Sequence, residues 1–113
     1  MELSIDDYLR HIVDEADFLL SSSKGLTLEQ YLSDPLLTRA FVRSIEIIGE
    51  AVKKLPEDFR QKIPDIQWRL IAGMRDKLIH GYFGVDQEIV WDVVVNKVPV
   101  LVDRLTPLLN DGT

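Results

Sequence analysis

Met74-Arg75-Asp76-Lys77-Leu78-Ile79-His80-Gly81-Tyr82-Phe83-Gly84 sets an arginine, a histidine and a tyrosine within a few residues of one another, in a chain with only two histidines and no cysteine. Upstream, Gln67, Leu70, Ile71, Met74 and Leu78 recur at helical spacing and predict one face of a helix. Asp65, after the breaker Ile63-Pro64, is its expected cap, and Gly81 and Gly84 stop it near His80. Five helical steps leave Arg75 and His80 about 140° apart around the axis. Arg75 and Tyr82 fall within about 20° of each other but roughly 10 Å apart along it. Spacing alone therefore builds no compact triad. Either the glycine-flanked helix end bends to turn His80 toward Arg75, or a symmetric dimer faces two copies of the stretch across one cleft.

The segments before it also read as helices. Ser4 is a plausible N-cap, with Asp6 and Asp7 at the positive end of the dipole. Ile5, Tyr8, Ile12, Ala16 and Leu19 mark a buried face, and Ser21 to Gly25 end that helix. Thr27 and Gln30 have the spacing of a capping box over a short helix. Asp34-Pro35 opens a long one, with Leu37, Phe41, Ile45, Ile48, Val52 and Leu55 as its stripe. Ala40, Ser44, Ile47 and Ala51 broaden the stripe, so this helix is expected to be buried on more than one side. Gly49 inside it costs up to ~1 kcal/mol against alanine, but its size lets another helix approach closely. Glu46 and Glu50, four apart, are either a carboxylate pair for metal or acid–base work or an outward face with Glu50 reaching Lys53 or Lys54.

A short turn through Lys62 separates this helix from the one that ends at His80, which makes the latter the fourth of four to five main helices. Beyond the glycines, Asp86 caps a last helical region with Val90, Val94, Lys97, Leu101, Leu105 and Leu108 on one side. Pro99 predicts a kink or restart near Asn96-Lys97. Helical period over this region outweighs the strand propensity of Val93-Val94-Val95. The fold class is all-α, an up-and-down bundle in one domain over residues 1–113, with a frayed tail from about 110.

Composition narrows the function. Hydrophobic content of 46% and charged content of 28% are those of a globular domain, and no apolar run reaches the ~18 residues of a membrane span. The N-terminus shows no signal peptide, so the expected location is cytoplasmic. Without cysteine there is no disulfide or thiolate zinc site, and two histidines 69 positions apart do not favour a metal centre. No metal and no cofactor are expected. The net charge of −6 argues at first against a polyanion, but its distribution is uneven. Residues 1–38 carry 2 basic and 8 acidic side chains, whereas residues 39–80 carry 9 basic and 6 acidic. The positive third ends in the arginine–histidine stretch, although its excess is too small for tight non-specific binding to nucleic acid.

Arg75-x4-His80-x-Tyr82 resembles the motif of the HEPN superfamily, in its HepT-like toxin branch. Arg43-Ser44-Ile45-Glu46-Ile47-Ile48-Gly49-Glu50-Ala51, Trp68 to Asp76, and Gly84-Val85-Asp86 with Ile89-Val90-Trp91 are similar to that branch too, so the likeness runs over roughly residues 3 to 110. It implies a HEPN-like helical bundle and a homodimer that pairs two motif helices around a composite site. It further implies an endoribonuclease that acts without metal as the toxin of a toxin–antitoxin pair of type II or VII. Arg75 and His80 would stand at the scissile phosphate and leave a 2′,3′-cyclic phosphate. Asp76 matches the polar residue after the arginine and would orient it, the plainer alternative being a salt bridge to a nearby lysine. Tyr82 would accept AMP from a cognate minimal nucleotidyltransferase antitoxin, the plainer alternative being a ring wedged beside Phe83.

These residue types suit RNA cleavage. The ribose 2′-hydroxyl is an internal nucleophile, and an imidazole with a pKa near 6.5 can accept its proton or protonate the leaving 5′-oxygen. A guanidinium offers a fixed cationic fork to the charge that grows on the phosphorane. RNA is thus the expected substrate, and neither DNA nor a membrane is an expected partner. The competing function is a non-catalytic helical module that docks a nucleotidyltransferase.

Overall fold

A computed structural model describes residues 3–80 and 85–109, without the side chains of Ile79 and His80. Helix α1 spans Ile5–Ser23. Ser4 Oγ accepts from the Asp7 N–H while the Asp7 carboxylate accepts from the Ser4 N–H, so two orphan donors of the first turn are satisfied together. Its carboxyl sits below the usual range, chiefly because of the Ser4 backbone N–H. After Ser23, Gly25 takes φ +76°, which glycine adopts without a Cβ penalty. The buried stripe of α1 is Leu9, Ile12, Val13, Ala16 and Leu19. Ile5, expected inside, is 40% exposed, because the stripe is centred on Leu9 and Val13 rather than on the Ile5–Tyr8 edge.

Helix α2, Leu28–Leu32, has the Thr27–Gln30 capping box and buries Tyr31. That ring stacks on Phe41 at 5.0 Å and leans on Trp91 at 5.3 Å, and its hydroxyl donates to Gln87. Burial pushes the phenol's pKa up. Helix α3, Pro35–Lys54, starts where Asp34 accepts from the N–H groups of Leu36 and Leu37. It is buried on more than one side, through Phe41, Ser44, Ile45, Ile48, Gly49, Ala51 and Val52.

Residues Glu57–Gln61, expected as a turn, form helix α4, so the motif helix is the fifth and not the fourth. Helix α5, Trp68–His80, begins two residues later than an Asp65 cap requires. The Asp65 carboxylate instead pairs with Arg104 at 2.9 Å. Trp68 anchors the start: its ring is buried and its Nε1 donates to the carbonyls of Arg60 and Ile63, both at 3.0 Å. The buried face of α5 consequently runs through Trp68, Ile71 and Met74, while Gln67 and Leu70 are exposed.

Asp86 caps helix α6, Gln87–Asp92. A π turn over Val93–Lys97 leads into helix α7, Val98–Leu105, and a 3-10 turn over Thr106–Leu108. The irregularity falls where Pro99 predicts it. Pro99 has no N–H for the Val95 carbonyl, and the ladder widens just before it, with the Val98 N–H reaching Val93. Leu108, expected on the buried side, is 47% exposed. Helix α3 packs along α5 and along α1, and α1 packs on α7, so one core serves the bundle. Among the described residues there is no strand, and no helix is long and apolar enough to cross a membrane.

Candidate active site

The site is built on the seam between α3 and α5. Gly49 of α3 faces Arg75 of α5 so closely that a Cβ at Gly49 would lie 2.3 Å from Arg75 Cβ and 3.2 Å from the Ile71 carbonyl oxygen. The small residue foreseen as a point of close approach is therefore the one on which the motif arginine sits. Backbone contact at this depth fixes the root of the Arg75 side chain.

Its tip is fixed by charge. Arg75 Nη2 lies 2.9 Å from Glu50 Oε2, and Nη1 lies 3.0 Å from Asp76 Oδ1. The same Asp76 oxygen takes Lys53 Nζ at 2.6 Å. Glu50 thus reaches across to α5 rather than along α3 to Lys53 or Lys54, because the close approach at Gly49 brings Arg75 within its span. Asp76 meets the plainer of its two readings, a salt bridge to a lysine, while also touching Arg75. The Lys53 hydrogen bond, then that of Arg75, holds the Asp76 carboxyl below the usual carboxylate range. The Asp76 hydrogen bond, supported by Glu50, raises Arg75 further above neutrality. Arg75 is a permanent cation with donors to spare, since a guanidinium has five N–H groups.

Arg75 also lines a cavity of about 420 Å³ between α1 and α3, together with Tyr8, His11, Arg43, Glu46 and Lys54. Glu46 stands 3.7 Å from Arg43. Glu50 is therefore bonded to Arg75 while Glu46 only stands near Arg43, and among the described residues no group of three or more acidic or histidine side chains is arranged to hold a metal. The sequence assigns no site role to His11 or to Arg43. Their signal was the spacing: Arg43, Glu46, Glu50 and Lys54 recur at three and four on α3, as Tyr8 and His11 do on α1.

His80 closes α5 as its last residue, and its side chain is outside the described residues. Tyr82, the expected AMP acceptor, and the glycines beside it lie outside them too, as does the tail from 110. What the backbone does give is continuity: α5 is helical at every position from Arg75 to His80.

The Ribonuclease HepT-like family model matches residues 5–108. The chain belongs to the HepT-like ribonuclease family. It is 52% identical over 102 residues to a protein of Caldanaerobacter subterraneus subsp. tengcongensis named "Putative RNase", covering 90% of this chain and 91% of that one. It is 40% identical over 108 residues to the "Probable ribonuclease HepT" of Thermococcus cleftensis, covering 96% of this chain and 98% of that one. A "Putative RNase" of Methanocaldococcus jannaschii is 44% identical over 105 residues, covering 93% and 84%. No solved structure gives a significant match. The HEPN-type resemblance carried by Arg75, His80 and the flanking segments is thereby borne out at the level of the family.

Proposed function

We propose that this HepT-like ribonuclease cuts RNA without metal, at a composite site formed by two copies of the chain, and acts as the toxin of a two-gene pair. The observation that carries the reading is the unbroken helix between Arg75 and His80. Of the two ways to bring these groups together, a helix that unwinds between them loses its support. The unbroken helix supports their meeting across a two-fold axis instead.

In this reading the 2′-hydroxyl attacks the adjacent phosphorus, and the His80 imidazole takes its proton or delivers one to the leaving 5′-oxygen. Arg75, gripped by Glu50 and Asp76, presents its remaining N–H groups to the phosphorane. Its restraint has a purpose, since a guanidinium held in place reorganises little as charge develops. Asp76 orients Arg75, and Lys53 orients Asp76. Tyr82 takes AMP from the partner nucleotidyltransferase, which sets a phosphate and a bulky nucleoside two residues from His80 and silences the site.

Purified protein should cleave RNA in the presence of EDTA and leave 2′,3′-cyclic phosphate ends. Arg75→Ala and His80→Ala should each lower the rate by about 10² to 10⁴ while the circular dichroism spectrum is retained. Light scattering should give a dimer at micromolar concentration. Cleavage that stops with EDTA and returns with magnesium refutes the metal-free chemistry. A wild-type protein that cuts no RNA but binds a nucleotidyltransferase points to a docking module instead.

A further inference from the structure

The cavity between α1 and α3 is continuous with Arg75, yet most of its lining takes no part in the chemistry above. Its volume of about 420 Å³ is within the ~300–1,000 Å³ that small-molecule sites occupy. Tyr8 on α1 is partly buried and His11 exposed, three residues apart and hence on the same side of the helix, and both line the groove. Across from them on α3 stand Arg43, whose side chain is 71% exposed, and Lys54. Between the two lies Glu46, only 23% exposed and held from Arg43 at 3.7 Å, beyond hydrogen-bond distance, so its acceptors are not spent on that pair. Cations at the rim, aromatic rings on one wall and a recessed carboxylate do not describe a surface for a bare polyanion. They describe a place for one nucleotide with its base inside and its phosphates outside.

We propose that this groove is a subsite for the RNA nucleotide next to the scissile phosphate. The proposal rests on the ribonuclease reading. Arg43 and Lys54 take the flanking backbone phosphates, Tyr8 and His11 pack against the base, and Glu46 accepts from the base edge. Sequence-selective readers of single-stranded RNA combine these elements, stacking the base and bonding its edge. A carboxylate accepts well from an exocyclic amino group. It is repelled by uracil, whose carbonyls flank its one N–H. The subsite therefore favours cytosine, adenine or guanine over uracil.

The test uses the full chain and fluorescent 2′-O-methyl oligoribonucleotides, which lack the attacking hydroxyl and are not cut. Arg43→Ala and Lys54→Ala should each weaken binding about fivefold to tenfold and lower the slope of log K against log salt by about 0.7. Arg104→Ala, which removes a cation outside the groove, should bind as wild type. Oligo-C should bind about tenfold tighter than oligo-U, and Glu46→Gln should narrow that ratio. Groove variants that bind like Arg104→Ala overturn the subsite. So do groove variants that change the molar mass by light scattering, because the groove is then an interface between copies. Cleavage of ordinary RNA is read separately. If the wild type cuts RNA but the groove variants bind normally, the subsite alone fails. If the wild type binds with this pattern and cuts nothing, the ribonuclease reading fails and, with it, the assignment of the groove beside a scissile phosphate.

Discussion

Alanine at Gly49 adds a single carbon to the α3–α5 seam. By helix propensity alone it should stabilise α3 by up to ~1 kcal/mol. Packing decides otherwise. The new Cβ would stand 2.3 Å from Arg75 Cβ, 3.1 Å from its Cγ and 3.2 Å from the Ile71 carbonyl oxygen. Carbon atoms rest at about 3.5–4.0 Å, so the helices must part by about 1.2 Å or more. Two of the three atoms are backbone or fixed directly to it, and no rotamer change relieves the clash. Overpacking of this kind costs about 1–3 kcal/mol, and a rigid neighbour puts the cost near the top of that range. The net effect is a loss of about 2 kcal/mol, or about 10 °C in Tm for a domain of this size. Displacing Arg75 by an ångström should also cost about 10² in cleavage rate. Gly73 provides the matched control, since a Cβ there meets nothing within 4 Å among the described residues. Gly73→Ala should raise stability by about 0.5–1 kcal/mol, the helix-propensity gain at a position with room for the methyl group. Thermal and urea melts followed by far-ultraviolet circular dichroism, with RNA cleavage on the same samples, read both variants. A Gly49→Ala protein that melts at or above the wild type and cleaves normally refutes the seam as the support of Arg75.

Three further expectations can be checked directly. Because Asp76 titrates below its usual range, its ionised form should stabilise the fold above the ordinary carboxylate pKa of about 3.9, and this contribution should vanish as pH falls through the lowered value. Lys53→Met should move the Asp76 titration upward by carboxyl NMR, and an unmoved titration rejects Lys53 as the chief cause. Trp68→Phe removes the donor shared by two carbonyls that each keep one backbone N–H, from Ile63 and Ile66, and should cost about 0.5–1.5 kcal/mol by urea denaturation, whereas a neutral result would mean that the Trp68 N–H does not anchor α5. Tyr82→Phe should resist AMP addition by the cognate nucleotidyltransferase with ATP and magnesium and stay active, and intact-mass spectrometry that finds added mass on another peptide rejects Tyr82 as the acceptor.

Local signals were the most legible. The Ser4–Asp7, Thr27–Gln30, Asp34 and Asp86 starts all fall where capping chemistry puts them, because a cap is decided by residues three apart. The start of α5 was misread for the opposite reason. Asp65 is as good a cap by type as Asp34, but its carboxylate is drawn to Arg104, 39 positions away, and the helix begins at Trp68 under the control of the Arg60 and Ile63 carbonyls. Arg104 is not visible in the local sequence. The candidate site divides in the same way. Gly49 announced a close helix pair but not which helix, and the identity of Glu50's partner followed only when α5 was seen to lie there. The α1–α3 groove escaped notice because Tyr8 and His11 are about 35 residues from Arg43 and meet it only through packing.

The geometry of α5 bears on why such a chain would work in pairs. Five residues of helix carry His80 about 7.5 Å beyond Arg75 and about 140° around the axis. The root of Arg75 is pressed into Gly49, and its tip is tied to Glu50 and to Asp76, which Lys53 holds in turn. Swinging Arg75 toward its own His80 would break two ion pairs and leave Glu50 and Asp76 to find new partners. A second copy avoids that cost. An antiparallel partner helix, related by a two-fold axis passing between positions 75 and 80, sets the histidine of one protomer opposite the arginine of the other without moving either anchor. The same pairing answers the charge problem. Arg75, Lys53 and Arg60 are each matched with a carboxylate inside the protomer, so these cations of a single copy of this acidic chain offer RNA only part of their charge. Two copies would bring two Arg75 guanidiniums toward one cleft, and the field of a cleft concentrates where its walls exclude water. Association and catalysis would then be linked. Dilution below the dimer's dissociation constant should lower activity faster than in proportion to concentration.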